Sequence, residues 1–349
     1  MLTTYSITDA GQMKQWDAYV LSHPKGTVFH SSPWLKCIHH TYRYQPFLYV
    51  SLDKNEIMDG VFPCFYIKSP ITGRRLVSIP FSDYGGPLFT DAGREYEQLA
   101  RIIRDNNNGF RLYEIRSSLN PAINLFSPNT YQSHVLELDA QPEIVMKNVD
   151  RKTIRYSIRK AKKAGVEIER GDSMNDVKKF YDLNLLTRKK HGLPPQPYAF
   201  FKNIYKLLIE TGQAFLLIAY YDSMAIGAGL FLTFKETLYY KYNASDPSFL
   251  SKVSPNHLLT SHAIEWACLQ GFKYFDFGRT YTANQGLARY KEMWGAGAAD
   301  LPYHYYPLPK TSNPEKENGL SYQIFTNICR HLPPFVLKSV GAKLYKHIG

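Results

Sequence analysis

One stretch in the C-terminal half of the chain, Tyr274 to Gly297, brings together side chains that could do chemistry. It reads YFDFGRTYTANQGLARYKEMWGAG, a strand pattern that breaks at Gly278, passes through a polar loop and ends in a second charged segment. Arg279 could hold an anionic group, because a guanidinium offers a bidentate fork to carboxylates and phosphates. Asp276 could act as a base, although strand alternation leaves its facing ambiguous. No nucleophile–base pair is visible, so we expect any group transfer to be direct.

A second cluster of cations lies between Arg151 and Lys163, where seven of 13 residues are Lys or Arg. Helical spacing places an apolar stripe, Ile154, Ile158 and Ala161, toward a core. Arg155 and Arg159 then fall on the opposite face. This row of guanidinium groups predicts phosphate binding, since arginine suits bidentate recognition of anions. A solvated helix face is the alternative.

The segment SKVSPNHLL has the composition of a helix start. Ser254 is a suitable N-cap and Pro255 a suitable first helical residue. The free backbone amides at such a start can bind an anion, so Ser254 and Asn256 are candidate cofactor contacts. An ordinary capped helix is the alternative.

Two segments of the N-terminal half also carry candidate substrate contacts. IPFSDYGGPL reads as a strand end followed by a Gly-Gly-Pro turn, with Asp83 and Tyr84 at its mouth. In SSPWLKCIHH, Trp34 and Lys36 lie at a predicted helix start, and Lys36 could contact an anionic substrate. Core packing of Trp34 and turn chemistry at Asp83 are the alternatives.

The overall composition predicts a folded protein that binds anions. The chain has 349 residues, is 44% hydrophobic and carries a net charge of +12, which favours nucleic acid, phosphorylated substrates or an anionic membrane as partners. The four cysteines form no CxxC pair, and the adjacent His39 and His40 cannot share a helix face, so we expect no metal site. No signal peptide or spanning segment is apparent, which predicts a cytoplasmic protein.

The chain contains an internal duplication. LDKNEIMDGVF and YDSMAIGAGLF share an Asp-x3-Ile-x2-Gly-x-Phe frame that reads as a hairpin, and GFRLYEIR and GFKYFDFG each follow a helical segment. Each half would be a hairpin, a helix and a returning strand, which is a mixed α/β (α+β) fold with helices on a twisted sheet. The predicted domains are residues 1–135, 136–308 and a tail of 309–349.

The tail ends in a predicted basic amphipathic helix. Its apolar stripe consists of Leu337, Val340, Leu344 and Ile348, with lysines elsewhere on the helix. Such a helix can lie on an anionic membrane surface or dock on the protein's own core, and the sequence leaves both open.

Six stretches, in order from about residue 29 to about residue 306, resemble the Fem peptidoglycan-bridge aminoacyltransferases and related FemAB-like acetyltransferase-domain proteins of the GNAT superfamily. They are FHSSPWLK, IPFSDYGGPL, IRKAKKAGVEI, LTRKKHGLPPQPYAFF, YNASDPSFLSKVSPNHLL and FDFGRTYTANQGLARYKEMWG. The resemblance implies two tandem GNAT-like domains, with the active-site motifs mainly in the second. These motifs are specific to the superfamily and much less specific to one substrate.

The resemblance also implies roles for particular residues. Lys291, with Tyr290 completing an aromatic–lysine pair, would stabilise the developing negative charge or the phosphates of the donor. The region of Arg155 and Arg159 would lie near a nucleotide diphosphate or a tRNA. In YYKYNASD, Tyr242 would stand at the splayed end of the central strand and position or protonate the reacting group.

Strict alternation along that strand places Tyr240, Tyr242 and Ala244 on one face. A packed tyrosine is the alternative to a catalytic role for Tyr242.

The sequence indicates the class of enzyme more specifically than it indicates the acyl donor. GNAT enzymes that use coenzyme A usually carry a Gly-rich loop where this chain has Lys252 to Asn256 without glycine, which weakens the acetyl-CoA interpretation. We expect no tightly bound cofactor, and either aminoacyl-tRNA or acyl-CoA as co-substrate.

Three functions follow from these observations. The first is transfer of an acyl or aminoacyl group to an amine of a peptidoglycan-type envelope precursor, at the inner face of the membrane. The second is coenzyme A-dependent N-acetylation of an amino sugar in envelope polysaccharide synthesis. The third is non-catalytic binding of RNA or an anionic glycan, which the reactive groups between Asp276 and Trp294 disfavour.

Overall fold

The structure, a computed structural model, describes residues 1–105, 110–117, 119, 125–128, 130–307 and 320–349, without the side chains of residues 320 and 321. The chain forms two compact units. Unit 1 comprises residues 1–131, 300–313 and 344–349, and unit 2 comprises residues 132–299 and 314–343. The predicted start of the tail near residue 309 lies outside the described residues.

The described helices are α1 (Ala10–Ser22), α2 (Ser32–Tyr42), α3 (Ala92–Asp105), α4 (Pro142–Asn148), α5 (Tyr156–Lys163), α6 (Met174–Lys190), α7 (Tyr198–Ile204), α8 (Pro247–Val253), α9 (Pro255–Leu269), α10 (Gln285–Glu292), α11 (Leu320–His331) and α12 (Pro334–Ile348). Short 3-10 or π-helical turns span Val28–His30, Arg151–Arg155 and Tyr205–Ile209.

The described strands are β1 (Leu2–Tyr5), β2 (Gln45–Leu52), β3 (Met58–Ser69), β4 (Gly73–Val77), β5 (Leu88–Phe89), β6 (Leu112–Arg116), β7 (Tyr131–Glu137), β8 (Glu167–Gly171), β9 (Ala214–Tyr221), β10 (Met224–Phe234), β11 (Thr237–Ser245), β12 (Tyr274–Tyr281), β13 (Gly297–Asp300) and β14 (Tyr303–Tyr306).

Unit 1 is built on a mixed sheet in the order β1-β2-β3-β4-β6-β14, with β5 against β3. Strands β4 and β6 are parallel, while β2, β3 and β4 pair antiparallel in sequence. Helix α3 is amphipathic and buries Leu99 and Ile102 in a core that also contains Phe62, Tyr113 and Ile115. The periodicity of α3 therefore fixes which of its faces covers the sheet.

Unit 2 has a second mixed sheet in the order β13-β7-β12-β11-β10-β9-β8. Its central helix, α9, has an apolar sequence and buries nine of its 15 residues, as expected for a helix enclosed by its unit. The predicted stripe of the basic segment is confirmed, because Ile154, Ile158 and Ala161 are buried in the same core.

The two units confirm the duplication predicted from sequence. Each contains an antiparallel hairpin (β2–β3 or β9–β10), a third strand, a helix, and a strand that returns parallel to the third (β6 or β12). The glycine shared by the two motifs has a steric reason. A Cβ at Gly60 would lie 2.0 Å from the Phe89 ring, and one at Gly229 would lie 2.7 Å from the Phe231 ring.

The last helix docks on the protein itself. Within unit 2, Leu337 is fully buried with Leu185 and Cys329, and a Cβ at Gly341 would lie 2.0 Å from the Pro195 carbonyl oxygen. Within unit 1, the Tyr44 hydroxyl donates to the Tyr345 carbonyl.

The buried residues of α12 are Leu337 and Gly341, in unit 2, and Tyr345, in unit 1. Of the predicted stripe, Leu337 is fully buried, Val340 and Leu344 are half-buried, and Ile348 is 45% exposed. Gly341 allows close approach, and Tyr345 supplies the contact area of an aromatic ring. Neither position therefore stands out in the sequence as part of an aliphatic stripe. Among the described residues, no helix is both long and apolar enough to cross a membrane.

Candidate active site

A cavity of about 420 Å³ opens in unit 2 where strands β11 and β12 separate. Their parallel ladder ends at the pair Tyr239 and Asp276, although both strands continue beyond it. This is the splayed strand end that the GNAT resemblance implies. The lining residues come from both strands, from α9 and α10, and from the end of α6: Thr187, His191, Tyr240, Lys241, Asn243, Asn256, His257, Phe277, Arg279, Leu287, Tyr290 and Lys291.

The structure brings together three of the residues predicted from the opening motif. Strand β12 carries Arg279 just after Gly278, whose φ of 71° is a left-handed conformation that glycine adopts at no steric cost. Helix α10 follows its N-cap, Asn284, whose side chain accepts a hydrogen bond from the amide of Leu287. The helix presents Tyr290 and Lys291 to the cavity.

Lys291 is only 5% exposed and is held by the strand before it. Its Nζ donates to the carbonyl oxygens of Gly278 at 2.8 Å and Arg279 at 3.1 Å. The ammonium therefore fixes the path of the chain where β12 leaves the sheet, and it places a positive charge in the cavity wall. Lys291 thus contributes both to the shape of the cavity and to its positive charge.

A β-bulge changes which tyrosine of β11 lines the cavity. The register with β10 passes from Leu230 opposite Tyr242 to Phe231 opposite Tyr240, so Lys241 is the extra residue. A bulge interrupts the alternation of side chains. The prediction that Tyr240 and Tyr242 share a face is therefore wrong.

The two tyrosines have different surroundings. Tyr240 stacks on Phe231 with ring centroids 4.6 Å apart and lines the cavity. Tyr242 instead packs edge-to-face on Phe200 and Phe201 of α7 and is not among the lining residues. This placement favours the packing alternative for Tyr242.

The two phenols of the cavity remain protonated at neutral pH. Burial raises the pKa of Tyr240, against smaller opposing effects of hydrogen bonds with Asn243 and Thr260. Burial likewise raises the pKa of Tyr290. A buried neutral phenol is a hydrogen-bond donor, so both can stabilise an oxygen that gains negative charge.

The head of α9 contributes Asn256 and His257 to the cavity. The preceding Ser254 occupies the predicted N-cap position, but its φ of 52° is left-handed and its side chain makes no capping hydrogen bond. The His257 ring packs edge-to-face on Tyr290, with centroids 5.7 Å apart. Burial lowers the pKa of His257, so the imidazole is neutral at pH 7.

Asp276 lies away from the cavity. The residue is 3% exposed, and its carboxylate accepts a hydrogen bond from the Gly278 amide at 2.7 Å. Burial, and after it the negative charge of Asp276, raise the pKa of Tyr239. Phe277 and Arg279, one residue to either side of Gly278, line the cavity. Alternation thus places Asp276 on the other face of β12, which favours a structural role there.

The basic segment holds its two predicted anion contacts in different ways. The Arg155 guanidinium donates to the carbonyl oxygens of Val149, at 3.0 Å, and Lys147. Arg159 is exposed on α5. Neither lines the cavity, so their phosphate-binding role stays a prediction.

In unit 1 the predicted loop around Asp83 and Tyr84 is firmly held. The Trp34 indole donates to the Ser82 hydroxyl at 2.7 Å, and the Arg116 guanidinium donates to the Ser82 carbonyl at 3.2 Å. The Tyr303 hydroxyl donates to the Asp83 carbonyl at 2.9 Å.

Trp34 itself is fully buried, which supports a role in positioning this loop rather than direct substrate contact. Lys36 is half-buried on α2. Ile79 and Phe81, with φ of 39° and 62°, are in strained conformations of the kind that cluster at functional sites. Substrate contacts by Asp83, Tyr84 and Lys36 stay predictions.

The sequence of residues 149–292 matches the family model described as acetyltransferase (GNAT) domain. FemX is similar in fold, with a TM-score of 0.66 and 16% identity over 88% of this chain and 97% of that chain. The C-terminal domain of a putative lysylphosphatidylglycerol synthetase from Agrobacterium fabrum gives a TM-score of 0.57 and 9% identity, over 85% and 92% of the two chains.

A tandem GNAT protein from the clavulanic acid biosynthesis pathway gives a TM-score of 0.54 and 10% identity, over 87% of this chain and 97% of that chain. At such identities the similarity establishes the fold. No curated protein sequence matches the chain.

Residues 149–292 therefore define a GNAT acyltransferase domain within this chain. More particularly, the fold of the chain is similar to that of FemX over 88% of its length. The predicted resemblance and fold class are both confirmed. Sequence reasoning missed Tyr240, Lys241, Asn243 and His257, whose only signal was their position in motifs already quoted for other residues.

Proposed function

We propose that this protein transfers an acyl or aminoacyl group from an activated donor to an amine of a peptidoglycan-type envelope precursor. The observation that carries the proposal is the cavity at the open end of β11 and β12, which combines Arg279, Tyr290 and Lys291 in a GNAT domain. The Fem resemblance supplies the class of acceptor.

Each group of the cavity has a task in this reaction. The cations Lys241 and Arg279 bind anionic parts of donor or acceptor, and Lys291 stabilises the negative charge that develops on the acyl oxygen. The phenols of Tyr240 and Tyr290 donate hydrogen bonds to the same oxygen or to the leaving group. Transfer is direct, from donor to amine, without a covalent enzyme intermediate.

The donor is tested with the purified full chain, using acetyl-CoA, longer acyl-CoAs and aminoacyl-tRNA, with UDP-linked muropeptides as acceptors. Binding raises the unfolding midpoint, because a ligand at 100 times its Kd stabilises the folded state by about 2.7 kcal/mol. Turnover with aminoacyl-tRNA and its loss in Lys291→Ala is the expected result. Stabilisation and turnover with coenzyme A esters alone would overturn the aminoacyl donor.

A second candidate is N-acetylation of an amino sugar in envelope polysaccharide synthesis, with acetyl-CoA as donor. The match to a GNAT acetyltransferase domain favours it. The absence of glycine from Lys252 to Asn256 disfavours it, because close approach of a pyrophosphate to backbone amides is easiest at glycine. Glucosamine and its nucleotide-linked forms as acceptors distinguish this candidate from the first.

We also propose that the protein works in the cytoplasm at the inner face of the membrane and contacts anionic lipid through α11 and α12. Ile324, Ile328 and Phe335 are 53%, 54% and 72% exposed in this part of the chain. Lys343 and Lys346 on α12 are also exposed. Apolar side chains beside lysines are typical of surfaces that rest on anionic headgroups.

A further inference from the structure

Two hydrogen-bond acceptors at the head of α9 are buried without a partner among the described residues. They are Nδ1 of His257 and Oδ1 of Asn256, and both residues line the cavity. The Asn256 side-chain amide faces Ser245, with Nδ2 and Oγ 3.5 Å apart. Buried polar atoms in folded proteins are nearly always hydrogen-bonded, so a pair of unsatisfied acceptors in a cavity indicates a ligand that donates.

The backbone holds these two residues in place at a cost. Ser254 adopts a left-handed conformation directly between α8 and α9, although it is not a glycine. Such strain persists where the surrounding structure over-determines it and is often associated with function. The first turn of α9 is therefore fixed in direction, and Asn256 and His257 with it.

The charged and titratable groups that share the cavity with His257 are His191, Tyr240, Lys241, Arg279, Tyr290 and Lys291, from the end of α6, from β11, from β12 and from α10. None of the lining residues is an aspartate or a glutamate. The lining residues therefore offer no opposite charge to an imidazolium, and burial lowers the pKa of His257.

The other candidates for a proton acceptor are less suited. Lys291 already directs Nζ at two carbonyl oxygens, those of Gly278 and Arg279, and is held there by them. Tyr240 and Tyr290 are buried phenols whose pKa values are raised. His191 is exposed at the end of α6. His257 is half-buried, its Nδ1 atom is buried, and its lowered pKa makes it a neutral base of the cavity.

We propose that Asn256 and His257 form the acceptor-amine site, in which Asn256 Oδ1 accepts an N–H of the amine and His257 Nδ1 takes its proton. The proposal rests on the proposed function, since it assigns the base of that transfer. The amine nitrogen forms a bond to the acyl carbon, and the C–S or C–O bond of the donor breaks. The leaving group departs with that electron pair, and the imidazolium returns the proton to it.

The test compares His257→Asn with His262→Asn, an exposed histidine of the same helix that does not line the cavity. Transfer to an alkylamine acceptor is measured from pH 5 to 9, with acetyl-CoA and aminoacyl-tRNA as donors. In the wild type, kcat falls as the pH drops through the His257 pKa, below its ordinary value of about 6.5. His257→Asn loses this limb and about 10²–10⁴ in kcat, with donor KM unchanged, while His262→Asn matches the wild type.

Three further measurements separate a base from a structural histidine. Hydroxylamine is unprotonated at neutral pH, so as acceptor it restores much of the rate in His257→Asn. Asn256→Ala raises the KM for the amine more than it lowers kcat. NMR titration of the wild-type histidines gives a His257 pKa below 6.5 if the assignment is right, and this needs no variant to fold.

The possible failures are distinguishable. No wild-type turnover with either donor refutes the proposed function and the base with it. Wild-type turnover with an unchanged pH profile in His257→Asn refutes the His257 assignment alone, as does a titration in which His257 is protonated at pH 7.

Discussion

Replacement of Lys291 by methionine removes the ammonium group and keeps most of the aliphatic stem. Two carbonyl oxygens, those of Gly278 and Arg279, then lose their donor. A hydrogen bond to a charged group contributes about 1.5–3 kcal/mol, and water that enters the cavity replaces part of the loss, so we expect a destabilisation of about 3 kcal/mol. For a folded unit of this size, that lowers Tm by roughly 6–12 °C.

The same substitution removes a positive charge from the wall of the cavity. Loss of one preorganised electrostatic contact lowers kcat by about 10²–10³, and this effect is separate from the loss of stability. Lys291→Arg keeps the charge and is expected to recover part of both properties. The control is Arg289→Met, which makes the same change of charge on the exposed face of the same helix.

The two variants are compared by thermal unfolding and by steady-state transfer at a temperature well below the lower Tm. The expected result is a lowered Tm and a lowered kcat for Lys291→Met, and neither for Arg289→Met. An unchanged Tm would contradict the reasoning that Lys291 fixes the end of β12. Full activity in a folded Lys291→Met would show that the cavity has been assigned wrongly.

Three further predictions test the bulge, the anion site and the membrane surface. Tyr240→Phe should lower kcat about tenfold or more, because it removes a donor from the cavity, whereas Tyr242→Phe should change it less than twofold; the opposite order in the transfer assay would refute the register we describe. Arg279→Met should raise the donor KM and weaken the dependence of that KM on salt, and a KM that responds to salt as in the wild type would contradict an anion contact. Phe335→Ser should reduce cosedimentation with vesicles containing anionic lipid without changing Tm, and equal binding of wild type and variant would exclude this surface.

The duplicated fold could be predicted from sequence because its signals are local. The two Asp-x3-Ile-x2-Gly-x-Phe frames each describe one hairpin, and the confirmed stripe of Ile154, Ile158 and Ala161 follows helical spacing. Gly60 and Gly229 recur because an aromatic ring lies against each of them. The hairpin and helix patterns can be recognised in a single sequence because the residues that make them lie close together along the chain.

The interior of the site could be predicted only in part. Arg279, Tyr290 and Lys291 stand together in one motif, and the cavity brings them together in space. The bulge at Lys241 could not be seen, because an extra residue in a strand leaves no mark on composition and reverses every later assignment of faces.

Prediction from the sequence was limited in a different way at the start of α9. His257 stands in an apolar helix start, where one histidine carries no pattern, and its importance depends on an unpaired Nδ1 atom that only coordinates reveal.

The separation of β11 from β12 after Tyr239 and Asp276 also bears on solubility. Strand edges invite pairing with other chains, and proteins usually shield their outer edges with charge, bulges or covering elements. Here the separation creates two edges in the middle of a sheet, one on β11 and one on β12. In the strand order β11 lies between β10 and β12, and the cavity lies between the diverging strands β11 and β12. The opening thus supplies room for a ligand without adding an outer edge at which copies of the chain could aggregate.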